Sequence, residues 1–127
     1  MRSFLPLILI AAGGALGALA RYGLGGLVQG NRLDFPIGTL AVNLLGCLAM
    51  GFLGRWLHTG LAGADLRLLL GIGFLGAFTT FSTFSFEAMS LFRAHSPLPA
   101  IGYLFASVLG CLFTFSIGYL AARAIWK

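Results

Sequence analysis

Residues 76–87 read GAFTTFSTFSFE, five hydroxyl side chains set among four phenylalanines and closed by Glu87, the only glutamate of the chain. Lipid or core packing accounts for the rings but gains nothing from the hydroxyls, because a buried hydroxyl without a partner is unfavourable. Two chemistries fit them. Side-chain donors could solvate an anion that has shed its water. Alternatively, Ser and Thr could bond back to carbonyls of the preceding turn in an unbroken helix. Phe81 and Phe84 are three residues apart and project from a similar helical face. Such stripes usually pack. Ring edges are electropositive, however, so two edges facing a void can contact an anion, with Ser82, Thr83 and Ser85 supplying donors. Glu87 reads either as the carboxylate of a proton-coupled carrier or as a hydrogen-bonded residue near the interface.

The other polar residues within apolar runs need the same scrutiny. Arg21 sits in an apolar stretch, where a cation costs roughly 2.5–3.5 kcal/mol at mid-membrane depth. It reads as an interfacial side chain beside Tyr22 or as a cation that gathers anions at a vestibule. Asn43, four residues after Thr39, is a buried amide that must find another helix or water; it is interhelical glue or a pore-lining donor. Tyr103, Ser107 and Cys111 recur at spacing four and share one helical face. Cys47 and Cys111 lie in apolar segments without metal-binding spacing and read as small packing residues.

The elements that position these groups follow from hydropathy. The chain has 127 residues, 59% hydrophobic and 9% charged, with a mean hydropathy of +0.99. A soluble domain of that length could not hide so much apolar surface. A membrane helix needs about 20 mostly apolar residues, and four segments qualify: about 4–28, 37–57, 66–92 and 98–126, in a single domain over 1–127. The connections are short and hold the Gly, Asn, Asp and Pro of turns. Arg2 followed by an apolar run imitates a secretory signal. The run continues past Ala20 to Val28, so it is read as a retained membrane helix. The net charge of +5 is spread as single cations, which argues against a nucleic-acid surface. Five cations fall on the side of the termini (Arg2, Arg55, Arg67, Arg123, Lys127) and three toward the other (Arg21, Arg32, Arg93), a weak bias under the positive-inside rule. Such a chain can insert either way round.

Gly102, Ala106, Gly110, Thr114, Gly118 and Ala122 form a small-residue stripe in the fourth segment, and Gly13 and Gly17 in the first. These are packing faces, and a chain this small is expected to oligomerise. In the third segment Gly71, Gly73 and Gly76 precede the hydroxyl run, all poor helix formers. Either the helix breaks there, exposing carbonyls for a cation and helix N-termini for an anion, or it runs unbroken.

GAFTTFSTFSFE resembles the third-helix signature of the CrcB/Fluc fluoride channels. The likeness covers the whole chain: Ala20-Arg21-Tyr22 at the end of the first helix, Pro36-x-Gly38-Thr39-x-x-x-Asn43 at the start of the second, and the small-residue last helix. The resemblance implies an all-α membrane protein of four transmembrane helices, the third broken mid-membrane, assembled as an antiparallel, dual-topology homodimer in a bacterial plasma membrane. It implies two fluoride pores per dimer and a structural sodium ion at the dimer centre, held by the carbonyls of Gly76 and Thr79. Phe81 and Phe84 would form a phenylalanine box, Asn43 would line the pore, and Arg21 would face the vestibule. Tyr103 and Ser107 would begin a polar track that Glu87 joins. Cys111 stands where that track often has Ser, leaving its outer end less hydrogen-bonding. Fluoride is small and strongly hydrated, so a dry pore must replace water with close-packed hydroxyls, amides and ring edges, a slot poorly suited to chloride.

Two other readings remain in view. A small dimeric proton-coupled multidrug exporter would resemble this chain in size, but its essential glutamate lies in the first helix, where this sequence has Arg21 and no carboxylate. A non-transporting assembly subunit would use the glycine stripes alone and leave the hydroxyls unexplained. An enzyme is expected least: the helices hold no carboxylate pair, no His and no nucleophile–base constellation.

Overall fold

Among the described residues, four helices are long and apolar enough to cross a membrane: Leu5–Gln29, Ile37–Leu57, Ala64–Ala94 and Pro97–Ile125. The computed structural model describes residues 4–32, 34–58, 63–94 and 97–126, and among these all regular structure is helical. Helix α1 is Leu5–Gln29, with Pro6 in its first turn where a missing N–H is harmless. It ends at Gly30, whose φ of 53° needs a residue without a Cβ. Helix α2 is Ile37–His58 and begins just after Pro36. The third span is composite: a turn α3 (Ala64–Leu66), a π-helical segment (Arg67–Leu75), a turn α4 (Gly76–Phe78) and helix α5 (Phe81–Ala94). Helix α6 is Pro97–Ile125. The sequence bounds agree with these to within a few residues. Residues 59–62, part of the expected second connection, lie outside the described residues, as do 95 and 96 of the third.

Glycines set how closely the spans approach. A Cβ at Gly13 would overlap the Leu69 carbonyl and one at Gly17 the Phe74 carbonyl, while Gly73 in turn faces Ile10 and Gly13. Positions rise together along the two chains, so α1 and the third span run parallel with their backbones in contact. The π-helical turns lie on this seam. Gly76 N–H bonds to the Gly71 carbonyl five residues back and to that of Gly73, and the widened turns bury Gly71, Gly73 and Leu75.

Helices α2 and α6 are likewise parallel. A Cβ at Gly51 would overlap the Phe115 carbonyl, and one at Gly118 the Leu48 carbonyl; at Gly110 it would stand 2.8 Å from the Leu44 side chain. The α6 stripe therefore divides. Gly118 and Ala122 are buried within the chain, whereas Gly102 and Ala106 are exposed. Near the far end Arg55 donates Nη2–H to the Trp126 carbonyl (2.9 Å), where a cation suits a helix C-terminus. Phe52 and Trp56 pack on the Trp126 ring. Elsewhere large side chains such as Leu16, Leu19, Phe105 and Phe113 face outward, as a lipid-facing surface requires.

Val replacing Gly17 must push α1 off the Phe74 backbone. Thermal unfolding in detergent is expected to show a loss of about 1–3 kcal/mol. Gly54→Ala, where a Cβ meets nothing within 4 Å, is expected to leave the midpoint unchanged or raise it.

Candidate functional site

Helical structure stops at Phe78 and resumes at Phe81. Thr79 takes extended backbone (φ −83°, ψ 154°), so the peptide groups around it lose their helical partners. In an apolar surrounding each must find another. The Asn43 side chain of α2 meets Thr80 in a two-bond ring: Thr80 N–H donates to Oδ1 (2.8 Å) and Nδ2–H donates to the Thr80 carbonyl (3.0 Å). Arg21 reaches from α1 and donates Nε–H to the Ala77 carbonyl (3.0 Å). Thr79 returns both its N–H (3.1 Å) and its Oγ1–H (3.0 Å) to the Leu75 carbonyl. Three spans thus converge on residues 75–80.

Thr80 also caps α5. Its Oγ1 accepts from Thr83 N–H (3.2 Å), donates to Thr83 Oγ1 (3.0 Å) and lies 3.3 Å from Ser82 Oγ. The Thr83 hydroxyl proton is left uncommitted. Ser85, by contrast, donates back to the Phe81 carbonyl (2.9 Å). One turn further along α5, Glu87 receives Thr39 Oγ1–H from α2 (2.8 Å) and Tyr103 O–H from α6 (2.7 Å), so both carboxylate oxygens hold donors from other spans. Tyr103 is fully buried, its ring edge-on to Phe35 (5.4 Å, 82°) and tilted against Phe84 (5.3 Å). Ser107, one turn beyond, is also buried, and its Oγ makes no hydrogen bond of ordinary geometry.

Some of these groups border a cavity of about 520 Å³ between α1, α2 and α5, lined by Arg21, Gln29, Thr39, Thr80, Thr83 and Glu87 among others; Asn43, Tyr103 and Ser107 lie outside its lining. Arg32 and Asp34 stand at its rim on the α1–α2 connection. Gln29 shapes that connection. It donates Nε2–H to the Arg32 and Phe35 carbonyls, and its Oε1 accepts from Gly38 N–H (2.9 Å). Sequence reasoning missed Gln29; its place as the last residue of α1, before a turn rich in unpaired backbone groups, is the signal that could have found it.

The residues singled out in the sequence fall in distinct places. Arg21, Asn43, Thr79, Thr83 and Glu87 converge. Asn43 is 8% exposed and spends its oxygen and one N–H as interhelical glue, leaving a second N–H. Phe81 and Phe84 touch (5.3 Å, 54°) but differ in setting, the former 76% exposed and the latter 5%. Ser82 is also exposed, and Cys111 is half-buried, as is Cys47. Side chains bond the carbonyls of Leu75, Ala77 and Thr80; those of Gly76 and Thr79 receive none of these bonds. Among the described residues no group of three or more His, Cys, Asp or Glu is placed to hold a metal.

Residues 8–119 match the family model described as CrcB-like protein, Camphor Resistance (CrcB). The chain belongs to that family, a family of membrane ion channels. Relatives called fluoride-specific ion channels include one from Dehalococcoides mccartyi, 46% identical over 91% of this chain and 92% of its own length. Others come from Thermus thermophilus, at 43% over 93% and 95%, and from Pyrococcus furiosus, at 43% over 91% and 94%.

Asn43→Ala strands the Thr80 N–H and removes a second donor from the Thr80 carbonyl, which keeps its bond within α5. The unpaired N–H is expected to cost about 1–3 kcal/mol of stability in detergent unfolding, and the Thr80 amide should exchange with deuterium faster. Asn43→Asp keeps the acceptor for Thr80 N–H and is expected to lose about half as much.

Proposed function

We propose that the chain forms a fluoride-selective channel through which cytoplasmic fluoride leaves the cell passively. The observation that carries the reading is the set of uncommitted donors gathered at the helix interruption: the Thr83 hydroxyl, the second Asn43 N–H and the buried Ser107 hydroxyl. Thr83 and Asn43 are each positioned by another bond, so neither needs to reorganise to meet an anion. Relatives called fluoride-specific channels over nearly the whole length support the choice of ion.

Permeation then follows from this chain's own groups. Arg21 and Arg32 border the cavity and favour anions at its mouth. The N-terminus of α5 adds its partial positive charge beside Thr80 and Thr83. Asn43 and Thr83 replace water donors, and the edges of Phe81 and Phe84 line the passage where hydroxyls are absent. Tyr103 and Ser107 continue the line along α6, with Cys111 at its outer end. Glu87 holds the Thr39 and Tyr103 protons in place, and rotation of either hydroxyl transfers one donor to the ion as it passes.

The working assembly is an antiparallel homodimer with two pores. The exposed Phe81, the exposed Gly102 and Ala106 of the α6 stripe and the weak charge bias support it, because each is left without use in one chain. The interruption at Thr79 lies at mid-membrane depth in this assembly. A sodium ion at the dimer centre would be held by the Gly76 and Thr79 carbonyls of both chains. Neutral oxygens suit a hard cation, and these two carbonyls lie beside the ones that side chains engage. Its charge would support the interruption; no step of permeation passes through it.

Purified protein in liposomes is expected to release internal fluoride once valinomycin supplies a potassium path, with no matching loss of chloride. Phe81→Ile and Thr83→Val should each slow fluoride loss on the order of 10-fold, about 1.4 kcal/mol in barrier, while Thr83→Ser stays near the parent rate. Absence of fluoride loss from verified dimers, or equal loss of chloride, would overturn the reading.

A further inference from the structure

The parallel register of α2 and α6 brings two stripes of spacing four face to face. Thr39 and Tyr103 meet on the Glu87 carboxylate, and Gly51 abuts Phe115. The same offset of 64 residues sets Asn43 opposite Ser107 and Cys47 opposite Cys111. Contacts of Leu44 with Gly110 and of Leu48 with Gly118 bracket the cysteine pair, and one turn further on the two backbones touch at Gly51 and Gly118. Both thiols are free and half-buried. Neither is used by the fold elsewhere, and Cys47 has no part in the proposed pore.

We infer that Cys47 and Cys111 together form a two-coordinate site for a thiophilic d10 cation, with Hg²⁺ as the ion it takes best. Soft thiolates select soft cations, and linear two-sulfur coordination needs no third ligand; among the described residues no further His, Cys, Asp or Glu is grouped with the pair. Charge decides among the candidates. Binding follows Hg²⁺ + 2 RSH → Hg(SR)₂ + 2 H⁺, with both protons released to water. The product is neutral and can lie between apolar helices. A monovalent cation such as Ag⁺ would leave a net negative charge there, which burial penalises. The bridge would pin α2 to α6 at the outer end of the Thr39–Tyr103 line. That pinning obstructs ion flow only if the fluoride reading holds; the site itself does not depend on it.

Titration of the folded protein with HgCl₂, followed by the sulfur-to-mercury charge-transfer absorbance, is expected to saturate at one Hg²⁺ per chain. Saturation at two, as for independent thiols, would overturn the inference. It needs no variant and so does not depend on one folding. In competition with 2-mercaptoethanol and intact-mass detection, Cys47→Ser and Cys111→Ser should release mercury at about 100-fold lower competitor, the loss of a chelate partner. Release at the same concentration as the parent protein would sink the two-thiol site. In liposomes, mercury should slow fluoride loss at least about 10-fold in the parent and leave Cys47→Ser unaffected. If the unloaded protein moves no fluoride, the channel reading fails while the titration still decides the site.

Discussion

The amide ring between Asn43 and Thr80 is the interaction on which the rest of the site depends. Thr79 leaves helical backbone geometry where neighbours are apolar, and an unpaired peptide group in lipid costs several kcal/mol. A lone interhelical side-chain bond contributes little because the membrane-bound reference state also finds partners. The Asn43 pair differs because both bonds go to one residue, whose N–H has no helical partner. Arg21 serves the Ala77 carbonyl in the same way. A cation expensive in an apolar helix is thereby given a backbone dipole to meet. The interruption thus explains two of the most unfavourable residues in the sequence.

Close backbone approach makes those reaches possible. Arg21 and Asn43 extend from helices that must lie within one side chain's length of residues 77–80. On the α1 side this is achieved by Gly13, Gly17 and Gly73, where any Cβ would hold the helices apart. The π-helical segment directly precedes the interruption, and its wider turns bury Gly71 and Gly73 against their neighbours. On the α2 side the parallel register with α6 is fixed by Gly51, Gly110 and Gly118. That register brings Thr39 and Tyr103 to the two oxygens of a single carboxylate.

Much of this was legible in the sequence. The four spans followed from apolar length alone, and the short connections between them from their turn residues. Asn43, Arg21 and Glu87 stood out because polar groups in apolar helices need partners. The partners themselves were not legible, because hydropathy has no term for which helix faces which. Nothing local announces that Asn43 will take Thr80 or that Thr39 and Tyr103 will share Glu87. The π-helical turns were also invisible, since the glycines that permit them equally permit an α-helix. Phe81 and Phe84 looked equivalent by spacing, yet one is buried against Tyr103 and the other faces outward. The α6 stripe looked continuous, but Gly118 and Ala122 found partners within the chain, and Gly102 and Ala106 did not.

The hydroxyl run shows why composition alone left two readings open: some of its hydroxyls bond back to carbonyls and others do not. Thr79 and Ser85 donate back to carbonyls four residues earlier, as Ser90 and Ser116 do, and such hydroxyls have spent their only proton. Thr80, Ser82 and Thr83 sit where the helix restarts and the first turn lacks preceding carbonyls to receive them. They bond one another instead, and a chain of hydroxyls always ends on one proton without an acceptor. Here that proton belongs to Thr83, at the cavity wall. An unbroken helix through the same residues would offer every hydroxyl a carbonyl and leave no donor over. The interruption is what turns packing hydroxyls into available ones, which ties the backbone break and the side-chain chemistry into one device.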